Sequence, residues 1–217
     1  DISVTAADDT DAQTRSMSGR ALVRQGGFEL IEQLNLKERA PVMAADALTL
    51  LSAPNCPSDR RHVLLMPDQM ILQIHESIGH PLETDRILGD ERNYAGTTFV
   101  TPEMFGSYQY GSKLLNVSFD PGIANEIASY AYDDEGHKAE KKYLIKNGIL
   151  ECPMGSVGSM ARSGLPGVAN ARATNWNRAP IDRMANLNLE PGSSTLSDMV
   201  ASVEKGVLMK TNRSWSI

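Results

Sequence analysis

The chain has 217 residues, 41% hydrophobic and 22% charged, which suits one large or two small folded cores and gives no sign of disorder. Its formal net charge is −6 and the basic residues are scattered, so there is no electrostatic footprint for nucleic acid or for an anionic membrane surface. No apolar run approaches the roughly 18 residues of a membrane span, no signal-peptide pattern opens the chain, and Cys56 and Cys152 lack the spacing of a disulfide framework or a cysteine-rich zinc site; a cytoplasmic protein with reduced thiols is expected.

The chain starts at Asp1 rather than Met and enters a strand pattern at once, which predicts an excised, cleaved or partly ordered piece of a longer protein. Residues 1–6 alternate polar and apolar, residues 13–24 read as a second strand, and the acidic turn Asp8-Asp9-Thr10-Asp11 lets the two pair as a hairpin. After Gly26-Gly27, residues 28–36 and 40–51 have helical apolar spacing. Leu30, Ile31 and Leu34, then Ala44, Ala47, Leu48 and Leu51, form stripes that predict core packing. Residues 53–59 are dense in turn formers and mark a candidate domain boundary.

Beyond it, residues 62–66 read as a short strand and Pro67-Asp68 as a helix start. Met70, Ile74, Ile78 and Leu82 give that helix a stripe that would press it into the core. It carries His75-Glu76-Ser77-Ile78-Gly79-His80. Neutral imidazoles bind zinc, and a carboxylate beside the first can take a proton from water that zinc has acidified. The common metallopeptidase spacing is H-E-x-x-H, with both histidines nearly in line on one helical face. Here the second lies at i+5, which a regular α-helix would carry roughly 140° around the cylinder. Gly79 and Pro81 predict the remedy: a π-like turn or break between Ser77 and Pro81, with Ser77's carbonyl left without a partner at residue 81, because proline has no N–H. Glu83 and Asp85 follow closely and are candidates to accept the second N–H of a metal-bound imidazole; a solvated acidic turn paired with Arg86 is the plainer reading of both. His62 and His137 stand alone in charged surroundings and read as surface residues.

From Tyr94 onward the pattern predicts an antiparallel or mixed sheet, with strands at 97–101, 114–119, 143–145, 149–152 and 183–189 and a turn at Asn147-Gly148. Residues 196–206 return to helical spacing after Pro191-Gly192, with Met199, Val200 and Val203 inward. The fold class is α+β, an antiparallel or mixed sheet with a buried metal-binding helix.

The run His75-Glu76-Ser77-Ile78-Gly79-His80-Pro81-Leu82-Glu83-Thr84-Asp85 resembles the HExxGHxxExD signature of the TldD/PmbA family of zinc metallopeptidases, in its TldD-like, motif-bearing branch. Arg24-Gln25-Gly26-Gly27-Phe28-Glu29, Tyr132-Asp133-Asp134-Glu135-Gly136, Gly167-Val168-Ala169-Asn170-Ala171-Arg172 and Arg183-Met184-Ala185-Asn186 with Leu189-Glu190-Pro191-Gly192 resemble further blocks in the family's order. The resemblance implies that residues 1–57 are the C-terminal part of the family's central domain and residues 58–217 most of its metallopeptidase domain, within a larger fold. It implies Zn²⁺ as cofactor, with His75 and His80 as ligands and a cysteine beyond Ile217 as the third. It also implies cytoplasmic action on peptides and a homo- or heterodimer with a related subunit. A label of DNA gyrase modulation also occurs in the family, but an acidic chain without a basic stripe gives it no physical support.

On the residues themselves, Glu76 is the general base of a peptidase, and a peptide would lie extended along the 183–189 strand, with Arg183 and Asn186 as candidates to touch it. The alternatives are a non-catalytic peptide-binding or scaffolding subunit and a purely structural zinc module. Glu76 counts against both, because a structural site has no need of an adjacent base.

Overall fold

The computed structural model describes residues 2–17 and 22–212. In chain order, β1 (Ser3–Ala7) and β2 (Ala12–Ser16) pair antiparallel, with Ser3 opposite Ser16 and Ala7 opposite Ala12. The acidic turn closes the hairpin because Asp8 Oδ1 accepts from the backbone N–H groups of Thr10 and Asp11. The predicted second strand is shorter than residues 13–24: it ends at Ser16, residues 22–24 form no strand, and residues 18–21 lie outside the described residues. Two helices follow, α1 (Glu29–Gln33) and α2 (Leu36–Ser52), with Asn35 between them in the left-handed region at φ 48°. Only Met43 and Ala47 of these helices are buried, while Ile31 and Leu48 are 46% and 63% exposed. The predicted core stripes are therefore only partly covered.

Next come β3 (His62–Leu65) and α3 (Pro67–Ile74), then a π-turn at His75–Gly79 and a 3₁₀ turn at His80–Leu82. The histidine-bearing segment is less deeply set than expected. No residue of α3 is buried, and full burial begins at Ile78, Gly79 and Leu82. Two short helices, α4 (Thr84–Leu88) and α5 (Arg92–Ala95), are each followed by a glycine of positive φ. Residues 97–101 form no strand, since the Thr98 hydroxyl donates to the Pro81 carbonyl and accepts from Val100's N–H, holding a loop where β-branched residues suggested a ladder.

The main sheet has the order β6-β5-β4-β9, from β4 (Val117–Phe119), β5 (Lys142–Lys146), β6 (Ile149–Leu150) and β9 (Leu187–Leu189), all antiparallel. The Asn147-Gly148 turn joins β5 to β6 with both residues at positive φ, 51° and 78°, as a two-residue hairpin loop of matching twist requires. Helix α6 (Val157–Ser163) begins at Ser156, whose hydroxyl accepts from Ser159 N–H, and β7 (Ala171–Arg172) pairs antiparallel with β8 (Ile181–Asp182). Of the strand predicted at 183–189 only Leu187–Leu189 forms, because Asn186 ties the preceding stretch down: its side-chain amide donates to the Asp120 carbonyl and the Ser129 hydroxyl. The core gathers Ile78 and Leu82 with Val117, Phe119, Leu144, Ile145, Leu150 and Met154, and Met184 and Leu187 pack against it.

The last elements are α7 (Leu196–Ala201) and β10 (Gly206–Met209), where a single helix over 196–206 was predicted. A reciprocal cap between Thr195 and Asp198 starts α7, which ends early, leaving Met199 and Val200 39% and 49% exposed rather than inward. Strand β10 pairs parallel with β3. Two compact units result, one of residues 1–71 with 194–217 and one of residues 72–193. The sheet β6-β5-β4-β9 and the histidine motif belong to the second.

Candidate metal centre

The π-turn solves the spacing of the motif. His80 N–H donates to the carbonyl of His75, five residues back, so the turn is wide enough to bring the second histidine over the first. The rings lie 4.5 Å apart between centroids and nearly perpendicular, at 88°. Ligand atoms of His75, Glu76 and His80 all come within 4.8 Å of one another, the one such cluster of three or more among the described residues. Glu76 Oε1 stands 3.9 Å from His75 Nε2.

The devices differ in part from those expected. Pro81 does orphan the Ser77 carbonyl, and the hydroxyl of Tyr110 donates to it. Gly79 has an ordinary helical φ of −58°, and His80 is also right-handed helical. Gly79 is needed for space instead: a Cβ there would lie 2.0 Å from Met184 Sδ and 3.1 Å from Leu187 Cδ1.

Behind the site, the Glu83 carboxylate is 1% exposed and its Oε2 accepts from His80 Nδ1 at 2.8 Å and from Arg86 Nε at 2.8 Å. A carboxylate only accepts, so Nδ1 carries the hydrogen and the Nε2 lone pair of His80 is available to a metal. Arg86 also donates to the Ala95 carbonyl, so the guanidinium both anchors and neutralises the buried Glu83; its Nη2, 3.0 Å from the same His80 nitrogen, faces a donor in that tautomer and makes no hydrogen bond to it. Arg183 Nη1 stands 3.8 Å from the other Glu83 oxygen. Burial and the neighbouring His80 hold the His75 imidazole below its ordinary pKa, which favours the neutral form that binds metals. Two nitrogen donors with an adjacent carboxylate are a donor set that fits zinc.

Asp85 does not reach the histidines. Its Oδ1 accepts from Arg86 N–H, and its own N–H donates to Asp182 Oδ2. Of the two carboxylates expected behind the imidazoles, only Glu83 bonds one. Asn186 is occupied by Asp120 and Ser129, and Arg183 reaches toward Glu83 from the bend before β9. His62 is exposed and His137 half-buried, both away from the cluster. Cys152 is buried and its thiol is pushed up to about 11 by that burial, while Cys56 is exposed; neither joins the cluster. Tyr110 escaped the reading of the sequence, and the pairing with Arg86 that this reading offered for a solvated turn is made instead by a buried Glu83. The signal for Tyr110 was indirect: an orphaned carbonyl requires some donor, but no local spacing says which.

The profile of the PmbA/TldA metallopeptidase C-terminal domain matches residues 58–216. A metalloprotease of Methanocaldococcus jannaschii is 33% identical over 189 residues, covering 86% of this chain and 39% of that protein. A zinc metalloprotease TldD homolog of Saccharolobus solfataricus is 30% identical over 145 residues, 66% of this chain and 30% of that protein. The chain thus spans well under half the length of these relatives. Among solved structures, TldE from Thermococcus kodakarensis aligns over 97% of this chain and 44% of its own with a TM-score of 0.66 at 15% identity. A Thermotoga maritima protein named for DNA gyrase modulation aligns over 96% of this chain and 44% of its own with a TM-score of 0.70 at 19% identity. At such identities the structures speak for the fold alone. No helix among the described residues is long and apolar enough to cross a membrane.

Proposed function

The chain belongs to the PmbA/TldA metallopeptidase family, and from that premise we propose that it supplies the zinc-binding and proton-transferring residues of a peptidase acting on unstructured peptides or leader segments. The observation that carries this reading is the convergence of His75, Glu76 and His80 within 4.8 Å across a π-turn. His75 and His80 hold the metal, and the family resemblance implies a cysteine from outside these residues as the third ligand. Zinc bound there would supply Lewis-acid polarisation of the scissile carbonyl and acidify a water molecule. Glu76 takes the proton from the attacking water and returns it to the leaving amine. Glu83 fixes the tautomer and plane of His80, and Arg86 holds Glu83.

An extended peptide pairs with a free strand edge through its main chain, without demanding one sequence. The terminal place of β9 in its sheet supports that use of residues 187–189, with Arg183 just upstream. On the same reading residues 1–57 would be the C-terminal part of the family's central domain and 58–217 most of its metallopeptidase domain. The name of the Thermococcus neighbour supports pairing with a related subunit, and the cytoplasm is the setting proposed for it.

The test uses the full-length protein with any partner subunit. A chelator should abolish hydrolysis of an unstructured peptide and zinc should restore it. His75→Ala or His80→Ala should lose zinc, whereas Glu76→Gln should keep zinc and lose about 10²- to 10⁴-fold in turnover. Near wild-type turnover of Glu76→Gln would refute the assigned base. Intact peptide under every condition, with zinc bound, would favour the non-catalytic peptide-binding subunit.

A further inference from the structure

A second feature lies two residues beyond Glu83. Asp85, Asp90, Glu91, Glu135 and Asp182 line a cavity of about 200 Å³ with Arg162 as its cation, and Arg162 is already paired with Asp90. At ~30 Å³ per water this is room for several water molecules or one polar side-chain head. The acidity is organised rather than a loose surface cluster. Asp182 is 1% exposed and accepts from the backbone N–H groups of Asp85 and Ser156, at 3.0 and 2.7 Å. Asp85 is 5% exposed, yet its Oδ2 has no hydrogen-bond partner among the described residues. Buried polar atoms are normally paired, so this unpaired oxygen, on a residue that lines the cavity, calls for a donor.

The charge of that donor follows from the lining, and so does its size. A compact metal ion would need several carboxylate oxygens converging on one point, and no such group occurs here among the described residues. Carboxylates spread around a larger space suit a guanidinium or ammonium on an alkyl stem, with several donors to share. The cavity also has a fixed relation to the metal site. Glu83, bonded to His80, and Asp85 are two residues apart, at most about 7 Å along the backbone. Asp182 precedes Arg183, which approaches Glu83 from the other side. We propose that this cavity is a recognition pocket for a basic side chain, the guanidinium of arginine or the ammonium of lysine, in the peptide presented to His75, Glu76 and His80. The inference rests on the peptidase reading for its substrate but not for its binding chemistry.

Binding therefore decides it without turnover. Acetyl-arginine methylamide should raise the melting temperature of the full-length protein, and the citrulline analogue, equal in shape but uncharged, should not. Asp85→Asn and the milder Glu91→Gln should each reduce the shift. In the zinc-loaded protein, kcat/KM should favour an arginine peptide over its citrulline counterpart by about tenfold, and the ratio should fall toward one in both variants. Equal thermal shifts with the two amides, or a ratio near one in the wild type, would overturn the pocket while leaving the peptidase reading intact. Arginine-selective binding in a protein that hydrolyses neither peptide would uphold the pocket and count against the peptidase.

Discussion

Tyr110 donates its phenolic hydrogen to the main-chain oxygen of Ser77, the acceptor that Pro81 leaves without a helical partner. Burial and nearby Tyr108 push the phenol up to about 12, so it stays a donor across the working pH range. A proline that breaks one bond and a tyrosine that replaces it together keep the turn wide.

Pro81→Ala restores an N–H that Ser77 can accept in a regular turn, drawing His80 around the cylinder and away from His75. Zinc affinity of the full-length protein should fall about tenfold or more, and Tyr110→Phe should have the smaller effect of about 0.5–1.5 kcal/mol expected for one hydrogen bond. Competition titration with a chromophoric chelator measures both. Unaltered affinity in Pro81→Ala would show that the wide turn does not depend on the proline.

Arg86→Leu removes the guanidinium from a carboxylate that is 1% exposed. Breaking a buried pair by deleting one partner typically costs about 3–5 kcal/mol, so this change should destabilise the protein strongly in urea unfolding. Glu83→Gln should be gentler on stability and should lower zinc affinity about 10- to 100-fold. A reversed order of the two on stability would mean that the buried Glu83 carboxylate does not depend on Arg86.

Gly79→Ala places a methyl group against Met184 and Leu187. Overpacking of this kind costs about 1–3 kcal/mol. Met184→Ala in the same protein should recover part of the loss, and a double-mutant cycle should show a coupling of about 0.5–3 kcal/mol. Strict additivity would place the strain elsewhere.

Burial first, and then the charges of Asp182 and Glu83, push the Asp85 carboxyl up to about 7. Unfolded, the group titrates near 3.8. Between these values the folded chain holds a proton that the unfolded chain releases, so this group's contribution to stability is full below about pH 4 and is lost as pH rises through about 7. Asp85→Asn should remove that part of the slope. Urea midpoints at about pH 4.5 and about pH 7.5 for both proteins measure it, and identical slopes would sink the assignment.

Local chemistry is what the sequence made legible. The acidic turn at Asp8–Asp11, the Asn147-Gly148 hairpin, the Pro67 helix start and the widened turn after His75 all follow from backbone rules acting over a few residues. Partnerships across long separations were not legible. Strand β10 forms because Gly206–Met209 finds His62–Leu65, far earlier in the chain, and four apolar residues do not announce a parallel neighbour. Residues 97–101 carry strand-forming side chains, but the Thr98 hydroxyl takes up backbone groups that a ladder would have used. Asn186 likewise spends its amide on Asp120 and Ser129, which bends the segment that alternation suggested was straight. At the site, the motif named His75, Glu76, His80 and Glu83. It assigned Asp85 to the same side because carboxylates two apart look equivalent on paper, whereas α4 begins at Thr84 and turns Asp85 toward Asp182.

A π-turn contains one residue more than the α-turn it replaces, so it behaves as an insertion absorbed in place. Every side chain after it is rotated by roughly 100° relative to an uninterrupted helix. Here the 3₁₀ turn and the extended backbone of Glu83, at φ −69° and ψ 121°, take up that rotation at once. Deleting one residue from 76–79 would give the shorter histidine spacing but swing Pro81, Leu82 and Glu83 off their stations together. The longer spacing and the segment behind it therefore form a single heritable unit, which stepwise substitution can tune but cannot convert into the shorter one.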